Sequence, residues 1–329
     1  MPLYKSIAIV GVGLIGGSIG LAVRKRGLAD EVIGVGRGSF EQNNAEGGWG
    51  RVPPSPQLRD AGGSLRSTPA TQEAQAEFET AAKQSAAKLE EARALGAVTE
   101  IATDIAGKNV AQADLVIVCT PVAEIANHVL QIANSASERT IITDAGSTKG
   151  KIVADVEAKL PPGKRFIGSH PLAGSEKKGV KFAAAELFQD RVVILTPTAR
   201  TEPEVALAVE EFWSAIGAVV LRMSPEVHDQ KLAATSHLPH LVAAAVAKNT
   251  ARADLPLTAG GWRDLTRIAG GDPELWTQIL LENRPHVLNS LAEFGKTVAE
   301  FQLALEQGDA ARLRQLLTEG KLLRDALGN

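Results

Sequence analysis

At 329 residues the chain is too long for one ordinary hydrophobic core and is read as two domains. A formal net charge of −3 without any basic tract argues against a nucleic-acid partner, so an anionic ligand must be held by local cations. Cys119 is the only cysteine, which excludes an internal disulfide and suits a cytoplasmic setting, and no segment approaches the ~20 unbroken apolar residues of a membrane span.

The first apolar run, 7–10, leads directly into Gly11-Val12-Gly13-Leu14-Ile15-Gly16, with a helix expected over 18–26. Strand, glycine turn and helix in that order make a dinucleotide site: Gly11 permits the tight turn, Gly13 lets the phosphates approach, and Gly16 lets the helix pack on its strand. The helix amides and dipole then face the anion, with Leu14 and Ile15 in the contact loop. Gly11, Gly13, Gly16, Gly17 and Gly20 break the apolar stretch 7–23, which reads as core and not as a secretory segment. A second strand over 32–35 ends at Gly36-Arg37-Gly38-Ser39. An acid at this place binds the ribose hydroxyls of NAD, whereas Arg37 with Ser39 can hold a 2′-phosphate. NADP is therefore favoured over NAD, the alternative being an Arg37 that stacks on adenine without choosing.

From 38 to 70 the composition turns to Gly, Pro, Ser, Asn and Gln, which predicts a disordered surface insertion. An Ala/Glu/Lys-rich helix follows over 71–95, with Gly96 as its C-cap. Strands are expected over 115–119, 140–143, 166–168 and 192–195 with helical patterns between them, giving a mostly parallel, doubly wound α/β sheet of the Rossmann type. Cys119 falls on one of these strands and reads as a buried residue, not a nucleophile. A helix over 203–216 and a strand over 219–223 complete this part. Ser224-Pro225-Glu226 then combines an N-cap residue, a proline at N1 and an acid in the first turn. Helices are expected over 225–252 with a bend at Pro239, and over 262–269, 273–282, 285–307 and 310–327. The domains are accordingly 1–223 and 224–329, the second all helical.

Four polar clusters stand out: 144–150 (DAGSTKG), 169–176 (SHPLAGSE), 236–240 (SHLPH) and 264–267 (DLTR). The first two follow strands, at the carboxyl edge where doubly wound sheets bind ligands. Taken with the run ending in Asp272-Pro273-Glu274-Leu275-Trp276, these strings resemble the prephenate/arogenate dehydrogenase family of tyrosine biosynthesis. The resemblance covers nearly the whole chain apart from 38–70. It implies a Rossmann domain followed by an all-helical dimerisation domain like the C-terminal domain of 6-phosphogluconate dehydrogenase, and hence a homodimer of a cytoplasmic enzyme.

The activity implied is oxidative decarboxylation of prephenate to 4-hydroxyphenylpyruvate with NAD(P)+, or of arogenate to tyrosine. Hydride leaves the ring carbon bearing the hydroxyl, the ring carboxylate departs as carbon dioxide, and the ring aromatises. By the resemblance His170 is the base that takes the hydroxyl proton, a task suited to a group that titrates near neutrality. Ser147 matches the serine that orients it and touches the substrate hydroxyl. Arg267 matches the arginine that grips the ring carboxylate, with Asp264 aligning it. His240, Ser236 and His237 match the cluster beside the substrate side chain, although His237 could be structural. Glu176 matches an acid that pairs across or gates the site and could equally be a surface acid. Trp276 falls at an aromatic near the pocket or in the core, and Thr120-Pro121 lies under the nicotinamide ribose. Asp144 braces its loop without reacting. No metal is expected, because no carboxylate or cysteine ligand accompanies the histidines at metal spacing.

Two other readings are weighed. A 3-hydroxyacid or 6-phosphogluconate type dehydrogenase needs a lysine with an asparagine four residues on, and the first long helix offers Lys248-Asn249 instead. A non-catalytic nucleotide sensor would keep the fold without turnover, which Ser147, His170, His240 and Arg267 oppose. The expected chain carries neither an ACT domain after Asn329 nor a chorismate mutase segment before Met1, so feedback by tyrosine would act at the active site.

Overall fold

The computed structural model describes residues 2–36, 69–175 and 177–328, with 69–79 described as helical backbone. The expected insertion, up to residue 68, and the candidate residues Arg37, Ser39 and Glu176 lie outside the described residues. Eight strands form one sheet: β1 (Tyr4–Val10), β2 (Ala29–Val35), β3 (Glu100–Ala102), β4 (Leu115–Val118), β5 (Ile141–Asp144), β6 (Arg165–Pro171), β7 (Val192–Thr196) and β8 (Val219–Arg222), in the order β3-β2-β1-β4-β5-β6-β7-β8. Every pairing is parallel except β6 with β7. The chain reverses its direction of travel across the sheet between β1 and β4, and the glycine loop sits at that switch point.

The central strands carry continuous apolar runs because both faces of the sheet are covered there. In β1, Ile7 and Ile9 enter one apolar cluster with Ile19, Val23 and Trp213, while Ala8 and Val10 enter the other with Ile125, Val129 and Ile152. Leu115 and Ile117 of β4 alternate with Val116 and Val118 in the same way. The helix Leu14–Arg26 starts inside the glycine loop, earlier than expected, and ends at Gly27, whose φ of 62° is the left-handed C-cap. The strand β3 was not foreseen: one exposed and two half-buried residues at the sheet edge carry no periodicity. Cys119 lies one residue beyond β4, half-buried, and burial and then Asp144 push its thiol far above the usual range.

Packing divides the chain into a first unit, Met1–Asp229 with Gly270–Glu282, and a second, Gln230–Ala269 with Asn283–Asn329. The first therefore extends past Ser224, the boundary expected from sequence. Asp229 is tied to it because its carboxylate accepts the amides of Lys149 and Gly150, each at 2.8 Å. The helix Pro273–Glu282, expected in the second domain, joins the first through Ile279 and Trp276, which pack into the apolar cluster of Ile125 and Ile152.

The second unit is helical throughout. The long helix expected over 225–252 is interrupted by a π turn, Ala233–His237, before the helix Leu238–Asn249. The expected bend at Pro239 is thus realised one turn earlier. Proline has no N–H to give and its ring crowds the carbonyl four residues back, so the ladder widens ahead of it. The helices Arg284–Glu306 and Ala310–Asp325 follow, the latter capped by Asp309, which accepts the Arg312 amide at 2.9 Å. Leu303, Leu305, Leu317, Leu322 and Leu323 on these two helices are exposed. No helix among the described residues is long and apolar enough to cross a membrane.

Candidate active site

The glycine loop leaves β1 at Gly11, whose φ of 90° favours glycine and where a Cβ would lie 2.9 Å from the Cys119 carbonyl oxygen. At Gly16 a Cβ would collide with the Gly11 carbonyl, so helix and loop close on each other only through glycine. Gly13 differs: a Cβ there would meet nothing within 4 Å. Space is therefore kept over Gly13, at the N-terminus of the helix Leu14–Arg26, where amides without helical partners favour an anion. Across the switch point Thr120 is held by His128, its hydroxyl 2.9 Å from Nδ1, and Pro121 precedes the helix Val122–Ser135. These residues fit the pyrophosphate and ribose of a dinucleotide.

On the same sheet edge, the loop after β5 is built around Asp144. Its fully buried carboxylate accepts the Gly146 amide at 2.8 Å and the Ser169 amide at 3.1 Å, and pairs with the fully buried ammonium of Lys149. Asp144 thus braces the loop, as expected from sequence. Burial lowers the affinity of the Lys149 amine for its proton, an effect that Asp144 opposes. Ser147 on this loop is half-buried, and Thr148 donates its hydroxyl to Glu282 at 3.0 Å.

His170 lies near the carboxyl end of β6, 9% exposed. Its Nδ1 is 2.8 Å from Nε2 of His228, and the other nitrogen of His228, Nδ1, is 2.8 Å from the Asp229 carboxylate. Burial pushes the His228 imidazole below its ordinary pKa. Burial alone would raise the Asp229 carboxyl, but hydrogen bonds from His228 and from the Lys149 and Gly150 amides together outweigh it and hold the group below the usual carboxylate range. Sequence reasoning gave Lys149, within the cluster 144–150, no role and passed over His228 and Asp229. The His-Asp dipeptide at the start of a helix was a visible signal, but its partner is 58 residues away in the chain.

Trp276, in the first unit, is half-buried against the apolar cluster of Ile279, which is the core placement weighed for it. In the second unit Ser236 and His237 occupy the π turn and His240 the first turn of the following helix. His237 is 1% exposed and its Nδ1 lies 3.1 Å from the Asn283 side-chain amide, which donates to it. His240 is buried too, and burial lowers its pKa. Asp264 lies exposed in the helix Gly260–Thr266, and Arg267 opens the exposed 3-10 turn that follows.

A doubly wound sheet with a phosphate-ready glycine loop and a buried histidine at one edge, joined to a helical unit, defines a dinucleotide-dependent enzyme of the dehydrogenase class. The prephenate dehydrogenase nucleotide-binding domain family matches residues 75–222, and the prephenate dehydrogenase dimerization domain family matches 224–319. A prephenate dehydrogenase of Bacillus subtilis is 31% identical over 332 residues, which span 99% of this chain and 76% of the relative. A cyclohexadienyl dehydrogenase of Zymomonas mobilis is 36% identical over 72% of this chain and 82% of its own. The crystal structure of prephenate dehydrogenase from Aquifex aeolicus in complex with hydroxyphenyl propionate and NAD+ superposes with a TM-score of 0.76, at 31% identity and 98% coverage of both chains. The chain belongs to the prephenate dehydrogenase family.

Proposed function

We propose that this protein catalyses the oxidative decarboxylation of prephenate to 4-hydroxyphenylpyruvate in tyrosine biosynthesis, acting as a cytoplasmic homodimer. The observation that carries the reading is the buried His170, its Nδ1 hydrogen-bonded to His228, on the sheet edge that also bears the glycine loop. Membership of the family, together with the hydroxyphenyl propionate and NAD+ held by the A. aeolicus enzyme, supports the substrate class and a nicotinamide cofactor. The dimerization-domain match and the exposed leucines of the last two helices support pairing with a second copy.

Gly11, Gly13, Leu14, Ile15 and Gly16 hold the pyrophosphate, and Thr120 and Pro121 border the ribose. When bound, the nicotinamide supplies a hydride acceptor. His170 takes the proton of the ring hydroxyl as hydride departs, so that the carbinol becomes a ketone. Loss of the ring carboxylate as carbon dioxide then leaves a phenolate, to which His170 returns the proton. Ser147 contacts the substrate hydroxyl. Arg267, with Asp264, binds the ring carboxylate through a two-pronged contact, and His240, Ser236 and His237 border the side chain. Glu176 pairs across the site or gates it.

Steady-state rates with prephenate and arogenate, each with NAD+ and NADP+, test this reading. Turnover of prephenate is expected, arogenate turnover alone would reassign the substrate, and no turnover of either would overturn the activity. The preference for NADP rests on Arg37 and Ser39 after β2. Arg37→Asp is expected to move the ratio of kcat/KM values from NADP+ toward NAD+, and an unchanged ratio would remove Arg37 from the choice. Arg267→Lys replaces a planar fork by a point charge and is expected to raise the KM for prephenate by about tenfold with a smaller change in kcat. An unchanged KM would take Arg267 out of the substrate site.

A further inference from the structure

We propose that His228 and Asp229 are positioning residues that fix the tautomer of His170, so that Nε2 of His170 is the atom that takes the substrate proton. The inference rests on His170 being the base of the proposed reaction and adds which of its atoms reacts and what selects it.

The chain of donors and acceptors allows one arrangement. Asp229 sits at the N-terminus of the helix Gly150–Lys159, accepting the Lys149 amide on Oδ1 and the Gly150 amide on Oδ2. Two backbone donors stabilise the ionised form, and an ionised carboxylate can only accept. The nitrogen of His228 facing it at 2.8 Å, Nδ1, must therefore carry a hydrogen. His228 is fully buried, and burial disfavours the charged ring, with the Lys149 charge acting in the same direction and Asp229 and Asp144 opposing it, so that the net shift favours the neutral form. A neutral imidazole protonated at Nδ1 has a lone pair at Nε2. That lone pair lies 2.8 Å from Nδ1 of His170, so His170 donates from Nδ1 and its own lone pair is left at Nε2.

The same order holds after proton transfer. The imidazolium at 170 keeps its Nδ1–H on His228, whose Nδ1–H stays on the Asp229 carboxylate, and no proton passes along the chain. The negative charge at Asp229 stabilises the cation through the intervening ring, the role a buried carboxylate plays behind a catalytic histidine. Alternation of roles decides the reacting atom: where a carboxylate bonds the base directly the logic is the familiar one, and the one intervening ring of His228 transmits it unchanged. The two rings meet edge to face, centroids 5.1 Å apart at 60°, which leaves the nitrogen–nitrogen line open for the hydrogen.

The test reads the tautomer directly. Nitrogen-15 NMR of the full-length protein labelled at histidine, assigned with His170→Ala, is expected to show Nδ1 of His170 protonated and Nε2 bare in the neutral ring. His228→Leu should lose that pattern and lower kcat by about 10–100-fold with the Kd for the cofactor within about twofold. His228→Gln, which can place a carbonyl oxygen near the site of Nε2, should recover most of the loss. On the His170→Ala background, His228→Leu should cost nothing further. A hydrogen found on Nε2 of His170 in the parent protein, or losses that multiply in the double variant, would overturn the relay. The tautomer is read without substrate, so a parent protein inactive on prephenate would overturn the proposed function while the NMR result still decides the relay.

Discussion

His170→Ala is expected to lower kcat for prephenate by about two to four orders of magnitude, the range that removal of a positioned general base produces. The side chain is 9% exposed and bonded to His228, so alanine removes the base without opening the apolar clusters of the sheet, and the fold is retained. Binding of the cofactor, measured by fluorescence titration, should stay within about twofold because the glycine loop holds it independently. Steady-state kinetics with the purified variant check the expectation. A kcat within a few-fold of the parent would remove His170 from the proton step, and equal losses in cofactor binding and kcat would show that the loop architecture had been damaged instead.

The second large effect is on stability. Lys149→Met removes the partner of Asp144, whose carboxylate is fully buried and holds the amides of Gly146 and Ser169. A buried charge stripped of its counter-ion is destabilising by about 3–5 kcal/mol, well above what the added apolar contact returns. Urea denaturation near neutral pH should show the loss as a lower midpoint with an unchanged slope. Adding Asp144→Asn to Lys149→Met should recover part of it, since both charges are then gone from the interior while one of the two amides keeps an acceptor. A change below about 1 kcal/mol for Lys149→Met would mean that the Asp144 charge is satisfied by its amide donors alone. The two effects are separable: the first is read in turnover of a folded protein, the second in the fold itself.

Local signals carried much of the architecture. The runs at Ile7, Val32, Leu115, Ile142 and Val193 are continuous because both faces of the sheet are covered, and continuous apolar runs between helical patterns are visible without any partner strand. The helix starts at Pro203, Pro225 and Pro273 were legible because proline at the first turn costs no hydrogen bond, which is a property of the residue itself. By contrast β3 exists only because Val35 offers Ala102 a free edge, and nothing in Glu100-Ile101-Ala102 alone distinguishes it. The antiparallel pairing of β6 with β7 likewise follows from where the chain returns, since each strand is equally apolar in either direction.

The candidate site divides in the same manner. Glycines 11, 13 and 16 and the strings around His170 and His240 could be read in order along the chain, because backbone conformation and the chemistry of a side chain are intrinsic to the residue. The brace of Lys149 on Asp144 joins near neighbours, yet only complete burial gives it its weight. The link from His228 to His170 crosses 58 positions, and the division of the chain after Asp229 follows from amides that a helix N-terminus leaves without partners. The amino-acid sequence by itself determined the alternation of strand and helix, the glycine turn and the candidate polar groups of the site, since these depend on residues within a few positions of one another. Only the tertiary structure decided which buried charges are paired and which histidine leans on which, because desolvation and donor–acceptor order arise when distant segments meet.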